Sequence, residues 1–226
     1  MADKLTLGYI RRLRKLDCCA VSDALDRLQL SGVVSGVPQL SGTKLIAGSI
    51  ITIKLGVDNL VRPAGQSRQQ HLGTAAIEAG GPEHVIVIEQ NTGIEAASWG
   101  GLLTIGAIMR GINGVISSGP VRDIDQARKY KFPVFASSLT SLTARGRIVE
   151  VGTNLPLIVW GFNINPGDFV IADNSSIILI KQDMIEDVLK EAESIARQEN
   201  AMANAILQGI TISKVLGSTY ENMIKG

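Results

Sequence analysis

The sequence contains few aromatic residues and carries almost no net charge. Aromatic residues make up 4% of the 226 positions, although hydrophobic residues make up 45%, so a sizeable core is available and must be built from aliphatic side chains. This hydrophobic content argues against a disordered chain. The 22 Lys and Arg residues nearly balance the 21 Asp and Glu residues, for a net charge of +1. That balance argues against a nucleic-acid partner bound through a strong basic field.

Cysteine and histidine are also scarce. The two cysteines, Cys18 and Cys19, are adjacent, and disulfide geometry rarely allows neighbours to bridge. With no second pair there is no disulfide framework, so we expect reduced thiols in a cytoplasmic protein. The two histidines, His71 and His84, cannot form a His-rich zinc site. A metal ion, if bound, should be held mainly by oxygen.

Long apolar runs are missing as well. Residues 1–16 have no continuous apolar core of the kind found in a signal peptide, and no run reaches the length of a membrane span. The basic, amphipathic start would also suit a mitochondrial presequence, but Asp3 and Asp17 count against it. We therefore expect no membrane partner. Phosphate-loop, nucleophile-elbow, zincin and dinucleotide-binding motifs are all absent.

Hydrophobic periodicity and Gly/Pro punctuation divide the chain into helices, strands and connectors. The predicted helices are residues 4–16, Asp23–Leu28 with Ser22 as its N-cap, His71–Ala79, Leu102–Arg110, Asp125–Tyr130 and Asp183–Gln208. The predicted strands are Ile46–Leu55, Val85–Glu89, Gly114–Ile116 and Pro133–Ala136, followed by Arg147–Val151, Leu157–Trp160, Phe169–Ala172 and Ile177–Ile180 in the style of a β-meander. Ser31–Gly42 and Arg62–Arg68 are expected to be irregular, and Ile210–Gly226 has little pattern. The chain thus mixes βα units with β-only segments, and it has no linker or internal repeat.

Two successive strand–turn–helix units carry the chemistry. The segment Ser117–Asp123, SSGPVRD, places Arg122 and Asp123 just after a buried strand. Arginine suits a carboxylate, and aspartate suits a hard cation such as magnesium. One βα unit earlier, Trp99-Gly100-Gly101 opens a helix whose free N–H groups could bind an anion. The Arg-Asp pair could equally be a surface ion pair at a helix start. Two turns of one sheet could, however, face one pocket.

Five segments in order resemble the RraA-like family, which includes class II pyruvate aldolases and the regulator of ribonuclease activity A. They are VSDALDRL, LIAGSIITIK, EHVIVIEQNTGIEAASWGGLL, GINGVISSGPVRD and FNINPGDFVIADNSSIILI. The whole match runs from about Val21 to Gly209. The resemblance implies an α/β fold, a single layered α/β/β domain over residues 1–226. Its N-terminal helical segment would cover about 1–30 and its long C-terminal helix about 183–208. It also implies a homotrimer or homohexamer.

The family's site residues can be carried over position by position. In the aldolases, the residue matching Asp123 holds Mg²⁺ or Mn²⁺, and the residue matching Arg122 binds the substrate and the enolate oxygen. Backbone amides of the turn matching Gly100, Gly101, Leu102 and Leu103 bind the pyruvyl carboxylate. A glutamate from a neighbouring subunit's long helix completes the site, and Glu199 is the nearest candidate. The implied function is a metal-dependent lyase acting on a small 2-oxo or hydroxy acid, by retro-aldol cleavage to pyruvate, by oxaloacetate decarboxylation, or by both.

Three departures from the family pattern leave alternatives open. The aldolases have an acid at the position of Gly101, which helps hold the water shell of the metal; Ser118 replaces an aspartate, and Asn174-Ser175-Ser176 replaces D-G-V. Loss of such an outer group typically weakens metal affinity or activity 10–100-fold. Glu95 or Asp125 could compensate. Alternatively, the substrate is another carboxylic acid in a specialised pathway, or the chain is a non-catalytic binding protein of the ribonuclease-regulator type.

Overall fold

The computed structural model describes residues 4–58 and 71–217. The helices are α1 Lys4–Leu13, α2 Cys18–Arg27, α3 Thr74–Ala79, α4 Gly101–Arg110, α5 Ile124–Lys129, α6 Ile185–Leu207 and α7 Ile212–Val215. The strands are β1 Val33–Val34, β2 Gln39–Ser41, β3 Ile46–Val57, β4 His84–Glu89, β5 Val115–Ser117, β6 Val134–Ala136, β7 Ile148–Thr153, β8 Leu157–Val159, β9 Phe162–Ile164, β10 Phe169–Ala172 and β11 Ile177–Ile180. In these residues no helix is long and apolar enough to cross a membrane.

Four consecutive parallel strands form the centre of the main sheet. The strand order is β1-β11-β10-β3-β4-β5-β6-β2, with β7 paired to β3. Strands β3 to β6 are parallel, and Ser117 of β5 pairs with Ile88 of β4 and with Ala136 of β6. Because parallel strands end at the same edge, the connections that follow them converge there, where open α/β sheets bind ligands.

The central strands are buried on both faces, which explains their continuous apolar runs. Ile86 and Ile88 of β4 pack in the cluster that includes Trp99 and Leu103, beneath helices α3 to α5. Val85 and Val87 face the other side, in the cluster formed with the separate β8–β9 hairpin. Helices, main sheet and hairpin are therefore stacked in succession, which confirms the predicted α/β class and its α/β/β layering.

The long C-terminal helix is confirmed, and it anchors the two N-terminal helices. Arg12 of α1 donates from Nε to Glu193 Oε1 at 2.7 Å and from Nη1 to Glu186 Oε1 at 3.1 Å. Tyr9 meets the ring of Phe169 edge-on, with centroids 6.0 Å apart. This end of the molecule is a second packing region, centred on α6 and on strands β10 and β11.

Several boundary predictions were wrong. Helix α2 begins at Cys18, not Asp23, because the side chain of Asp17 accepts a hydrogen bond from the Ala20 amide at 2.8 Å and caps it there. Ser22 lies inside the helix. Helix α3 begins at Thr74, so His71 precedes it.

The short strands were also predicted imperfectly. The predicted connector Ser31–Gly42 contains β1 and β2, which pair with distant strands, and β9 was missed. The late strands do not form one meander, because β7 joins β3 whereas β8 pairs with β9. The C-terminal stretch contains α7. The predicted loop Arg62–Arg68 lies outside the described residues.

Candidate functional site

An open cleft of about 230 Å³ lies at the edge where the parallel strands end. Its walls come from the connections that follow β3, β4, β5 and β6. The lining residues are His71, Leu72, Ala97, Trp99, Gly100, Gly101, Leu102, Leu103, Arg122, Asp123, Thr143, Ala144 and Arg145. The structure therefore brings together the two turns that the sequence singled out, the Gly100–Leu103 turn and the Arg122-Asp123 pair.

The first turn presents the N-terminus of α4 to the cleft. No side chain caps this helix at Gly100, so its first N–H groups depend on other partners. The amide of Gly101 donates to Asp123 Oδ2 at 3.0 Å. The amides of Leu102 and Leu103 belong to the same first turn and lie in the cleft wall. A helix N-terminus of this kind suits the carboxylate of a bound acid.

The second turn fixes a carboxylate and a guanidinium side by side. Asp123 has left-handed backbone torsions, with φ 55° and ψ 35°, a conformation that aspartate tolerates better than most residues. Arg122 Nε lies 3.2 Å from Asp123 Oδ2. The Arg122 amide donates to the carbonyl of Trp99 at 3.0 Å, so the two turns are joined through their backbones as well as through Asp123.

Buried hydroxyls hold the second turn from below. Ser98 and Ser117 have Oγ atoms 2.7 Å apart, and Ser117 Oγ also accepts from the Gly119 amide at 3.1 Å. Ser118, which stands where the family has an aspartate, accepts from the Gln90 amide at 2.8 Å. These serines therefore tie the end of β5 to the connection that follows β4.

The cleft also contains groups that the sequence reasoning did not assign. Arg145 adds a second cation to the wall. His71 Nδ1 lies 3.0 Å from the carbonyl oxygen of Leu72, which fits Nδ1 as donor and leaves Nε2 as acceptor. The His71 segment is held by Glu150, whose Oε2 accepts from the Gly73 amide at 2.6 Å. Their place in the cleft follows only from the tertiary structure: Arg145 lies in an irregular connection, and His71 lies just before α3 and not in the helix predicted to begin there.

Glu199 is not part of this cleft within one chain. It lies on α6 near Asp17 and Asp23, and burial together with these two carboxylates raises the pKa of Glu199. The sequence expectation was that Glu199 reaches the cleft of a neighbouring copy, and this stays a prediction. Of the two acids suggested to compensate at position 101, Glu95 accepts from Thr140 and Asp125 pairs with Arg128. Neither belongs to the cleft lining.

The residues present fit a divalent cation held by one protein carboxylate. The Gly101 amide and Arg122 both bond to Oδ2 of the Asp123 carboxylate, so Oδ1 has no hydrogen-bond partner in the described part of the chain. No group of three His, Cys, Asp or Glu side chains that could hold a metal ion occurs within residues 4–58 and 71–217. Mg²⁺ commonly binds through one or two carboxylates and completes its six ligands with water and substrate. A single aspartate beside an uncapped helix N-terminus meets that requirement.

Comparison with known proteins places this cleft in a family. The chain is 29% identical over 208 residues to the protein DlpA of Legionella pneumophila; the match covers 92% of the chain but only about a third, 33%, of DlpA. It is 26% identical over 205 residues to a Halalkalibacterium halodurans protein named "Putative 4-hydroxy-4-methyl-2-oxoglutarate aldolase", a match that covers 90% of the chain and 91% of that protein.

A structural neighbour supports the same fold. The crystal structure of an uncharacterised protein from Pseudomonas syringae pv. tomato aligns with a TM-score of 0.81 at 24% identity, covering 93% of the chain and 98% of the neighbour. The family model for RraA-like proteins, described as Aldolase/RraA, matches residues 18–179, which is more than half of the chain. The chain therefore belongs to the RraA-like family.

Proposed function

We propose that this protein is a divalent-metal-dependent carbon–carbon lyase that acts on a 2-oxo acid with a second carboxylate. It would release pyruvate by retro-aldol cleavage, decarboxylate oxaloacetate, or do both. The observation that carries the proposal is the position of Asp123. Its carboxylate is held by the Gly101 amide and by Arg122 Nε inside a cleft that also presents a helix N-terminus.

The first turn of α4 would bind the carboxylate next to the 2-oxo group. The Leu102 and Leu103 amides can donate to it, because the Gly101 amide is already bonded to Asp123. Arg145 also lies in the cleft wall, on a different connection from Arg122 and Asp123. It would provide the cation that binds the second carboxylate of the substrate. A substrate bound at both ends has its central carbon–carbon bond between them.

Bond cleavage sends an electron pair into the 2-oxo group and forms the enolate of pyruvate. In retro-aldol cleavage the hydroxyl of the substrate loses its proton and becomes the carbonyl of the second product. In decarboxylation the leaving group is carbon dioxide. In both cases a proton then adds to the enolate carbon and yields pyruvate, so one intermediate serves both reactions.

Charge on the enolate oxygen is the feature that the site must stabilise. A divalent cation bound at Asp123 would supply Lewis-acid stabilisation. Arg122 is fixed through Nε by Asp123, so its terminal nitrogens can be directed at the same oxygen. His71 lines the cleft with Nδ1 against the carbonyl of Leu72, and its Nε2 would accept a proton. Glu199 from a neighbouring copy would be a second.

A coupled assay tests the reaction. Oxaloacetate or 4-hydroxy-4-methyl-2-oxoglutarate is supplied with Mg²⁺ or Mn²⁺, and pyruvate is followed through NADH oxidation by lactate dehydrogenase. We expect metal-dependent turnover and a loss of about 100-fold or more in Asp123→Asn. The activity of Arg122→Lys should fall about 100-fold, because lysine keeps the positive charge but lacks the planar, two-pronged guanidinium of arginine. Asp187→Asn, on the exposed side of α6, is the matched control. Absence of metal-dependent turnover on both substrates would refute the proposal.

A mixing experiment tests the contribution of a neighbouring copy. We propose a homotrimer or homohexamer in which Glu199 of one copy reaches the Asp123 cleft of the next. Asp123→Asn and Glu199→Gln should each be inactive, and refolding them together should restore a fraction of the activity, because some clefts then receive both native residues. An active Glu199→Gln variant would remove Glu199 from the reaction, and mixed assemblies with no recovered activity would refute its contribution to a neighbouring cleft.

A further inference from the structure

The side chain of Gln126 occupies the space in which a side chain at position 101 would begin. A Cβ atom added to Gly101 would lie 1.8 Å from Gln126 Oε1 and 2.9 Å from Gln126 Cδ. These separations are far below van der Waals contact. As long as Gln126 keeps this conformation, position 101 has room only for glycine.

The same Cβ would lie 3.3 Å from the Cβ of Asp123, so the Gln126 amide and the Asp123 carboxylate flank one turn of the backbone. Helix α5 begins at Ile124, directly after Asp123. Side chains in the first turn of a helix lean toward its N-terminal end, which directs Gln126 back to the start of α4. The backbone N–H of Gln126 donates to the backbone carbonyl of Asp123 at 3.0 Å. One short segment therefore sets both side chains.

We propose that Gln126 replaces, with a neutral amide, the acid that the aldolases carry at position 101. This inference rests on the proposed function, and it explains the loss of that acid as an exchange between two positions. The amide oxygen can still accept a hydrogen bond beside Asp123, but it brings no negative charge. The cleft then keeps one carboxylate, Asp123, against two cations, Arg122 and Arg145. Its affinity for a divalent cation is lower than that of a site with two acids, and its affinity for a dianionic substrate is higher.

A titration with Mn²⁺ tests this exchange without any turnover. Binding is measured from the loss of the EPR signal of the free ion. Gln126→Glu should bind Mn²⁺ about 10-fold or more tightly than the unmodified chain, the range expected for an outer group at a metal site. The double variant Gly101→Asp, Gln126→Ala should bind more tightly as well, because the alanine vacates the space that the new carboxylate needs. Gln208→Glu makes the same change at the exposed C-cap of α6, which ends at Leu207, and should leave Mn²⁺ affinity unchanged.

Two outcomes would overturn the inference. One is an Mn²⁺ affinity in Gln126→Glu and in the double variant that stays within two-fold of the unmodified chain. The other is an equal gain in Gln208→Glu, which would reduce the effect to general surface charge. A chain with no measurable Mn²⁺ binding still gives an answer, since both cleft variants should then gain binding.

The pyruvate assay separates this inference from the proposed function. If the unmodified chain turns over substrate but substitutions at position 126 do not change the Mn²⁺ affinity, the proposed lyase activity is supported and the proposed role of Gln126 is refuted. If substitutions at position 126 change the Mn²⁺ affinity but no variant makes pyruvate, the proposed role of Gln126 is supported and the proposed lyase activity is refuted. The KM for oxaloacetate adds a further readout, because Gln126→Glu should raise it as the cleft becomes less positive.

Discussion

Replacing Gly119 by alanine should destabilise the protein because a buried glutamine occupies the required space. A Cβ on Gly119 would lie 2.2 Å from Oε1, 2.6 Å from Cδ and 2.8 Å from Cβ of Gln90. The φ of Gly119 lies outside the left-handed region, so the backbone itself would accept alanine. The expected destabilisation is therefore purely steric in origin, and its magnitude depends on whether the Gln90 side chain can move.

Gln90 cannot move without losing hydrogen bonds. It is only 7% exposed, and its Nε2 donates to the carbonyls of Ile94 at 3.1 Å and Ala96 at 2.9 Å. Each such bond contributes about 1 kcal/mol net, and its loss leaves a buried carbonyl unpaired. We therefore expect Gly119→Ala to lower the free energy of unfolding by about 2 kcal/mol. For a chain of this size that corresponds to roughly 4–8 °C in Tm.

Urea denaturation followed by circular dichroism measures this loss, with Gly8→Ala as control. Gly8 lies in α1, and a Cβ there would meet nothing within 4 Å. Alanine has the higher helix propensity, so the control should gain up to about 1 kcal/mol. The steric reasoning is refuted if the free energy of unfolding of Gly119→Ala lies within about 0.5 kcal/mol of that of the unmodified chain, the range usual for surface substitutions. It would also be weakened if both variants lost stability equally.

Three further predictions concern other parts of the molecule. Glu193→Gln should cost about 1 kcal/mol at neutral pH, since its partner Arg12 and Glu193 itself are each 30% exposed and therefore partly screened. The hydrogen bond from Arg12 lowers the pKa of Glu193 below its ordinary 4.5, so this stabilisation is present above that pH and is lost as pH falls through the folded value; urea curves across that range should converge. In native protein, Ellman's reagent should react quickly with exposed Cys19 alone, because burial raises the pKa of the Cys18 thiol; two fast thiols would contradict this. Glu150→Gln weakens the bond to the Gly73 amide and should lower kcat/KM about 5-fold, since it loosens the wall that carries His71, the proposed proton acceptor; an unchanged kcat/KM would show that this wall serves neither binding nor catalysis.

The two chemical turns could be predicted because their signals are local. Strand β4 is a run of β-branched residues, and the glycines after it mark the start of α4 within one residue. Strand β5 and the turn that holds Arg122 and Asp123 follow the same pattern. Strands buried on both faces must be apolar throughout, so both their existence and their ends are visible in the sequence.

The remaining features depend on contacts between distant residues. Strand β1 has two residues and exists because it pairs with β11, and β2 exists because it pairs with β6. Arg145 reaches the cleft through the path of the chain after β6, and nothing near it in sequence indicates this. Gln126 lies within the predicted helix Asp125–Tyr130 and carries no further signal in the sequence. That its side chain fills the space next to position 101 appears only when α4 and α5 are brought together.

The edge that the four parallel strands share has a consequence for how this cleft can change. Each wall belongs to a separate connection: residues 71–72 follow β3, residues 97–103 follow β4, residues 122–123 follow β5 and residues 143–145 follow β6. A connection can be exchanged without altering the register of the sheet. The segment with Arg145 recognises one end of the substrate in our proposal, while the catalytic pair stands on another connection. On this proposal, substrate specificity and catalysis lie on separate connections, and grafting the loop after β6 between relatives should change which substrate is accepted.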